Sequence, residues 1–118
     1  MADSGLFIGW GDVYPGREEH ALRLFNDVVA YYGSLLEAGR IGRFEPFVVG
    51  PHGGGLRGYM IVGGTPEQID ALRIDDEFLG QVARASMLLK DFGVADLYYG
   101  ESLGHIIEVF EREIGALK

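Results

Sequence analysis

A chain of 118 residues with 47% hydrophobic side chains can bury a core unaided, and it is short enough for a single domain spanning 1–118. It has no cysteine, which excludes disulfides, thiolate zinc sites, iron–sulfur clusters and cysteine nucleophiles. Its formal charge of −8, from 18 acidic and 10 basic residues, argues against nucleic acid and anionic membrane surfaces as partners, since both need clustered Lys and Arg.

The amino-terminal run, residues 1–10, has no basic region and too short an apolar stretch for a secretory leader. No segment approaches the ~18–20 apolar residues of a membrane span. A soluble cytoplasmic protein is the expectation.

Residues 6–10 form a short apolar run broken by glycine and read as a first strand. A turn over 12–16 follows, with Pro15 and Gly16. Residues 17–38 predict a helix. Glu18 and Glu19 occupy its first turn, where the helix dipole favours anions. Ala21, Leu22, Phe25, Val28, Val29, Tyr32, Leu35 and Leu36 recur at helical spacing, and Gly39 ends the run.

Residues 44–49 read as a second strand and 56–62 as a third, joined by the glycine-rich loop 50–55. Gly63 and Gly64 are expected to open the next helical region, with Thr65 as N-cap, Pro66 at the first helical position and a short helix over 66–73. A longer helix is expected over 76–91, with Phe78, Val82, Ala85, Ser86, Leu89 and Phe92 inward. Residues 94–99 read as a fourth strand. The last helix, 102–117, carries Leu103, Ile106, Ile107, Phe110, Ile114 and Leu117 on one stripe.

The order is β-α-β-β-α-β plus a carboxy-terminal helix: an α+β domain with a four-stranded antiparallel sheet. A faint internal repeat agrees with it. Ala21-Leu22-Arg23-Leu24 recurs as Ala71-Leu72-Arg73-Ile74, and Leu35-Leu36-Glu37 as Leu88-Leu89-Lys90.

Two crossover helices cover one face of such a sheet, so a lone domain should turn polar on the other. These strands do not. Phe44, Pro46 and Val48 oppose Glu45, Phe47 and Val49; Gly58, Met60 and Val62 oppose Arg57, Tyr59 and Ile61; Ala95, Leu97 and Tyr99 oppose Asp96 and Tyr98, so both faces carry bulky apolar or aromatic groups. The apolar second face predicts a homodimer, sheet against sheet. In the competing arrangement the last helix folds across that face.

On this order and size the chain resembles the dimeric α/β-barrel group of ferredoxin-like proteins. The Ile8-Gly9-Trp10-Gly11 start and the Gly50-Pro51-His52-Gly53-Gly54 loop resemble a set of short, uncharacterised bacterial proteins of that fold. The resemblance implies either a dimeric domain that binds a small apolar or aromatic ligand, or a small enzyme of the monooxygenase, haem-binding or isomerase type acting on an aromatic or polyketide-like molecule. A fold does not choose between these, and no cofactor is implied by the residues.

Gly100-Glu101-Ser102-Leu103-Gly104 matches G-x-S-x-G between strand and helix, and His52-Gly53-Gly54-Gly55 matches a lipase oxyanion loop. A serine hydrolase of that class needs a larger parallel sheet and a histidine and acid after the serine. Ser102 is therefore read as a cap of the last helix. Gly9, Gly11 and Gly16 lack dinucleotide spacing. The histidines, His20, His52 and His105, are isolated, with no metal-ligand spacing. The candidate ligand-binding residues are Trp10, His52, Tyr59, Tyr98 and His105; Trp10, Tyr59 and Tyr98 belong to a wider set with Tyr14, Glu45, Arg57, Asp96, Tyr99 and Glu101 expected to line a cleft between sheet and partner.

Overall fold

The computed structural model describes residues 4–117. Met1, Ala2, Asp3 and Lys118, which belong to the amino-terminal run and the 1–118 span read above, lie outside them.

The chain runs β1 (Ser4–Trp10), α1 (Glu18–Glu37), β2 (Arg43–Val48), β3 (Gly58–Gly64), α2 (Pro66–Arg73), α3 (Asp76–Leu88), β4 (Gly93–Tyr98) and α4 (Glu101–Ala116). The strands form one antiparallel sheet in the order β2-β3-β1-β4. The α+β class and four-stranded antiparallel sheet expected from the sequence are what the chain adopts.

The register sorts the side chains. Leu6 lies opposite Val62, Ile8 opposite Met60, and Phe44 opposite Val62, so these residues share the helix-covered face. There they join Tyr32, Leu35, Ile41, Ile69, Leu72 and Phe78 in the core. Leu6 and Val62 are fully buried. Along α1 the buried positions include Leu24, whereas Leu22 and Leu36 of the expected apolar face are exposed.

The bounds of β3, α3 and α4 depart from expectation for identifiable reasons. β3 begins at Gly58 and continues through Gly63 and Gly64, the residues expected to open the next helix. Pairing decides this: Gly64 lies opposite Ser4 and Gly63 opposite both Gly5 and Arg43, so both flanking strands hold the glycines extended. The helix then starts as anticipated. Thr65 Oγ1 accepts from Gln68 N at 3.1 Å, and Gln68 Oε1 accepts from Thr65 N at 3.0 Å, a reciprocal capping box with Pro66 just inside.

α3 stops at Leu88 because the next residues pair elsewhere. Tyr14 N donates to Leu88 O at 2.9 Å, Lys90 N to Asp12 O at 2.8 Å and Gly11 N to Lys90 O at 2.7 Å, which draws Leu89 into a bridge with Val13. Ser86, expected inward, is exposed, and its hydroxyl donates back to Val82 O at 2.8 Å.

α4 starts at Glu101, with Gly100 rather than Ser102 at the N-cap and a φ of 60° that favours glycine. Ser102 instead sits inside the first turn. Its Oγ donates to Tyr99 O at 2.8 Å and accepts from Tyr99 N at 3.1 Å.

α4 packs against β4 and buries none of its residues; Phe110 and Ile114 are each 59% exposed. The radius of gyration, 16.2 Å, exceeds the ~13–14 Å expected of a compact chain this long, in keeping with a helix that projects from the body. The arrangement with this helix folded across the open sheet face is not the one found. No helix of the described residues is long and apolar enough to cross a membrane.

Candidate functional site

Two features follow from this architecture: an apolar cavity on the helix-covered side of the sheet, and a bare apolar face on the other.

The cavity measures about 420 Å³, within the range of small-molecule sites. Its floor is the sheet, through Ile8, Trp10 and Met60. α1 supplies Leu24, Phe25, Val28 and Tyr32, and α3 supplies Phe78, Gln81, Val82 and Ala85. Leu89 and Phe92 close one end, held by the pairing of residues 11–14 with 88–90. The exposed Leu22 and Val48 mark where it opens.

Trp10 is placed by a vacancy in the neighbouring strand. It lies opposite Gly58, where any Cβ would collide with the indole. The ring therefore lies over β3 and meets Phe25 edge-to-face at 6.1 Å.

Polar groups in this wall are few. Arg57, beside the opening, donates to Asp12 Oδ1 at 2.7 Å through Nε and to Gly54 O at 3.0 Å through Nη1. The hydrogen bond from Arg57 and its positive charge hold the Asp12 carboxyl below the usual carboxylate range. Tyr32 is pushed up by burial, and by Tyr31 beside it, so its phenol stays protonated. Gln81, 4% exposed, is the one buried polar residue of the described core. Its Nε2 donates to Glu77 Oε2 at 3.1 Å, and its Oε1 has no partner among the described residues.

The opposite face carries an aromatic row. Tyr59 stacks between Phe47, at 4.8 Å, and Phe7, at 5.2 Å. Phe47 lies directly opposite Tyr59. Phe7 reaches it diagonally because Gly9, which faces Tyr59 in register, leaves room for the Phe7 ring to lean across. Ile61 and Leu97 extend the patch. At its far end Tyr99 lies across Gly63 and donates to Ser4 O at 3.2 Å, with the Arg43 guanidinium 5.4 Å above its ring.

The five residues singled out from sequence are not brought together. Trp10 lines the cavity and Tyr59 the bare face. His52 is exposed in the β2–β3 loop, its Nδ1 3.0 Å from Gly50 O. Tyr98 is exposed at the end of β4, and His105 is exposed on α4. Of the wider set, Glu45 and Tyr99 share the bare face with Tyr59, while Arg57 stands by the cavity. Tyr32, Phe78 and Gln81 were absent from that set. The first two were hidden by helical periodicity, which reads an aromatic as core. For Gln81 the available signal was a polar residue three positions after Phe78 and four before Ala85, on the apolar side of its helix.

Among the described residues no three His, Asp or Glu side chains are grouped to hold a metal ion. Ser102 Oγ is engaged with the Tyr99 backbone in both directions.

No protein-family model matches the chain, and no curated protein matches it. Solved structures do. A dimeric protein of unknown function and ferredoxin-like fold from Bacteroides fragilis superposes with a TM-score of 0.58 at 10% identity, over 81% of this chain and 96% of that one. PA3566 from Pseudomonas aeruginosa superposes with a TM-score of 0.62 at 18% identity, over 85% and 96%.

The fold is ferredoxin-like. The resemblance to short bacterial proteins of this fold, read from the element order and glycine-rich turns, is borne out by both structures. At these identities the likeness concerns the fold alone.

Proposed function

We propose that this chain is a single-domain, homodimeric binding protein that holds one small apolar molecule per protomer in the cavity between α1, α3 and the sheet. The observation that carries this reading is the cavity: about 420 Å³, walled by Trp10, Phe25, Phe78 and aliphatic side chains around few polar groups.

The dimer rests on two uncovered apolar surfaces of one chain, the Phe47–Tyr59–Phe7 row and the α4 stripe. Twofold pairing of the sheets covers the first, and the partner covers α4 as it leaves the edge strand β4. The dimeric state of the Bacteroides fragilis protein of this fold supports the same assembly. The acidic surface suits a soluble cytoplasmic protein with no nucleic-acid or membrane partner. The enzymatic alternative drew on His52 and His105, neither of which lines the cavity.

Trp10 is the chain's one tryptophan and stands in the cavity wall, so its emission reports occupancy. Titration with compact apolar molecules should shift that emission saturably, and sedimentation should give a dimer. A panel with no saturable change sinks the binding reading, and a monomer at micromolar concentration sinks the assembly.

A further inference from the structure

The Gln81 amide narrows the chemistry of the ligand. A buried, unpartnered carbonyl oxygen is costly and calls for an explanation. Its orientation is not arbitrary. Glu77 presents a carboxylate, which only accepts, so the amide nitrogen must face it and the oxygen must face away. Glu77 is also approached by Arg84 Nη2 at 3.5 Å, which steadies the carboxylate.

Gln81 Oε1 is itself closed to a water-sized sphere. Gln81 lines the cavity, however, and the terminal torsion of a glutamine is soft, so a donor placed there can draw the oxygen toward it. A lone water would fit poorly there, because it needs about two to four polar partners and the neighbouring wall is Phe78, Val82 and Ala85. The missing group is a donor attached to something apolar.

The donor's type follows by elimination. An ammonium would be a desolvated charge at Gln81, because Glu77 is already engaged by Gln81 Nε2 and approached by Arg84, and Glu18, the carboxylate lining the cavity, is an exposed residue of the first turn of α1; an amide would bring its own unsatisfied carbonyl. A hydroxyl brings a single donor with little else to satisfy. The rings of Trp10, Phe25, Tyr32 and Phe78 favour a rigid cyclic body.

We infer that the cavity selects a cyclic alcohol or phenol, whose hydroxyl donates to Gln81 Oε1 while its ring system fills the apolar wall. This rests on the binding reading above and adds a specificity-determining residue to it.

The test uses the full-length protein, Trp10 emission, and two probes of one ring system, borneol and bornyl methyl ether, in which a methyl group replaces the donor hydrogen; the Gln81→Met comparison separates the lost donor from the added methyl. Borneol should bind roughly 3- to 10-fold more tightly, the range one net hydrogen bond supplies. In Gln81→Met, of similar volume, that preference should vanish while the ether still binds. In the wild-type protein the Gln81 side-chain amide resonance should move with borneol and stay in place with the ether, a readout that does not depend on the variant folding. Equal binding of the two probes, a preference that survives Gln81→Met, or an unmoved amide resonance overturns this inference and leaves the cavity reading standing. Binding of neither probe overturns both.

Discussion

Phe47 and Tyr59 lie directly opposite each other on neighbouring strands, and their rings stack 4.8 Å apart with 25° between their planes. Both belong to the sheet face that no helix covers, and Phe47 keeps 37% of its surface exposed. Such a pair adds to sheet stability, yet it leaves apolar area toward solvent.

A charge in this row should separate dimer from fold. Tyr59→Glu places a carboxylate where each protomer is open to water but the paired sheets are dry. Sedimentation should change from dimer to monomer, with the far-ultraviolet circular dichroism spectrum retained. A Tyr59→Glu protein that remains dimeric would rule out this face as the interface.

α4 makes a second, independent prediction. Phe110 and Ile114 stand one turn apart, each 59% exposed. Phe110→Glu should weaken the dimer at least about tenfold, as expected when a charge enters a desolvated contact, and should change the melting temperature of the monomer little. Dilution series by light scattering read both.

Filling the cavity should abolish ligand binding without loss of fold. Ala85 is 5% exposed and lines the cavity on α3, so Ala85→Leu projects extra carbons into existing space. Trp10 emission should cease to respond to apolar probes, while the melting temperature holds or rises, cavity filling being worth about 0.5–2 kcal/mol. Retained probe binding in Ala85→Leu would place the site elsewhere.

Tyr32 predicts a loss of stability in alkali. Burial raises its phenol above the ordinary tyrosine value of about 10. Below that value the phenol is neutral in both folded and unfolded chains, and stability is full. Above it the unfolded chain loses the proton first, so stability falls as pH rises toward the folded value. The melting temperature should fall as pH rises above about 10, and Tyr32→Phe should reduce that drop while remaining close to wild type near neutrality. An unchanged slope would assign the alkaline transition to other groups.

The Thr65 capping box gives a stability control at a residue that lines neither the cavity nor the aromatic row. Thr65→Ala removes the acceptor for Gln68 N and should cost about 1 kcal/mol, read as a lower denaturation midpoint with the dimer and probe binding intact.

Local chemistry made much of this protein legible. Thr65-Pro66 marks a helix start because an N-cap oxygen and a fixed φ act within a few residues. Gly39 marks an end with a φ of 71°. The alternation of Tyr59 and Ile61 against Met60 and Val62 exposes a two-faced apolar sheet because strand side chains repeat every second residue. Element order and the open face were therefore readable in sequence.

What the tertiary structure decided was set by pairings between residues far apart in the chain. Gly63 and Gly64 look like the opening of the next helical region, but β1 pairs with both and β2 with Gly63, which holds them extended. Leu89 continues a helical pattern, yet Val13 draws it into a bridge. Trp10 reads as one aromatic among many until Gly58, 48 positions along, leaves the space that lays it in the cavity. Gln81 shares the apolar side of its helix by spacing, and only the packing of α3 on α1 and the sheet buries its amide and strands its oxygen. Periodicity states which residues face inward. Whether they meet without a gap depends on the shapes of side chains from four elements at once, and a void of that kind has no local signature.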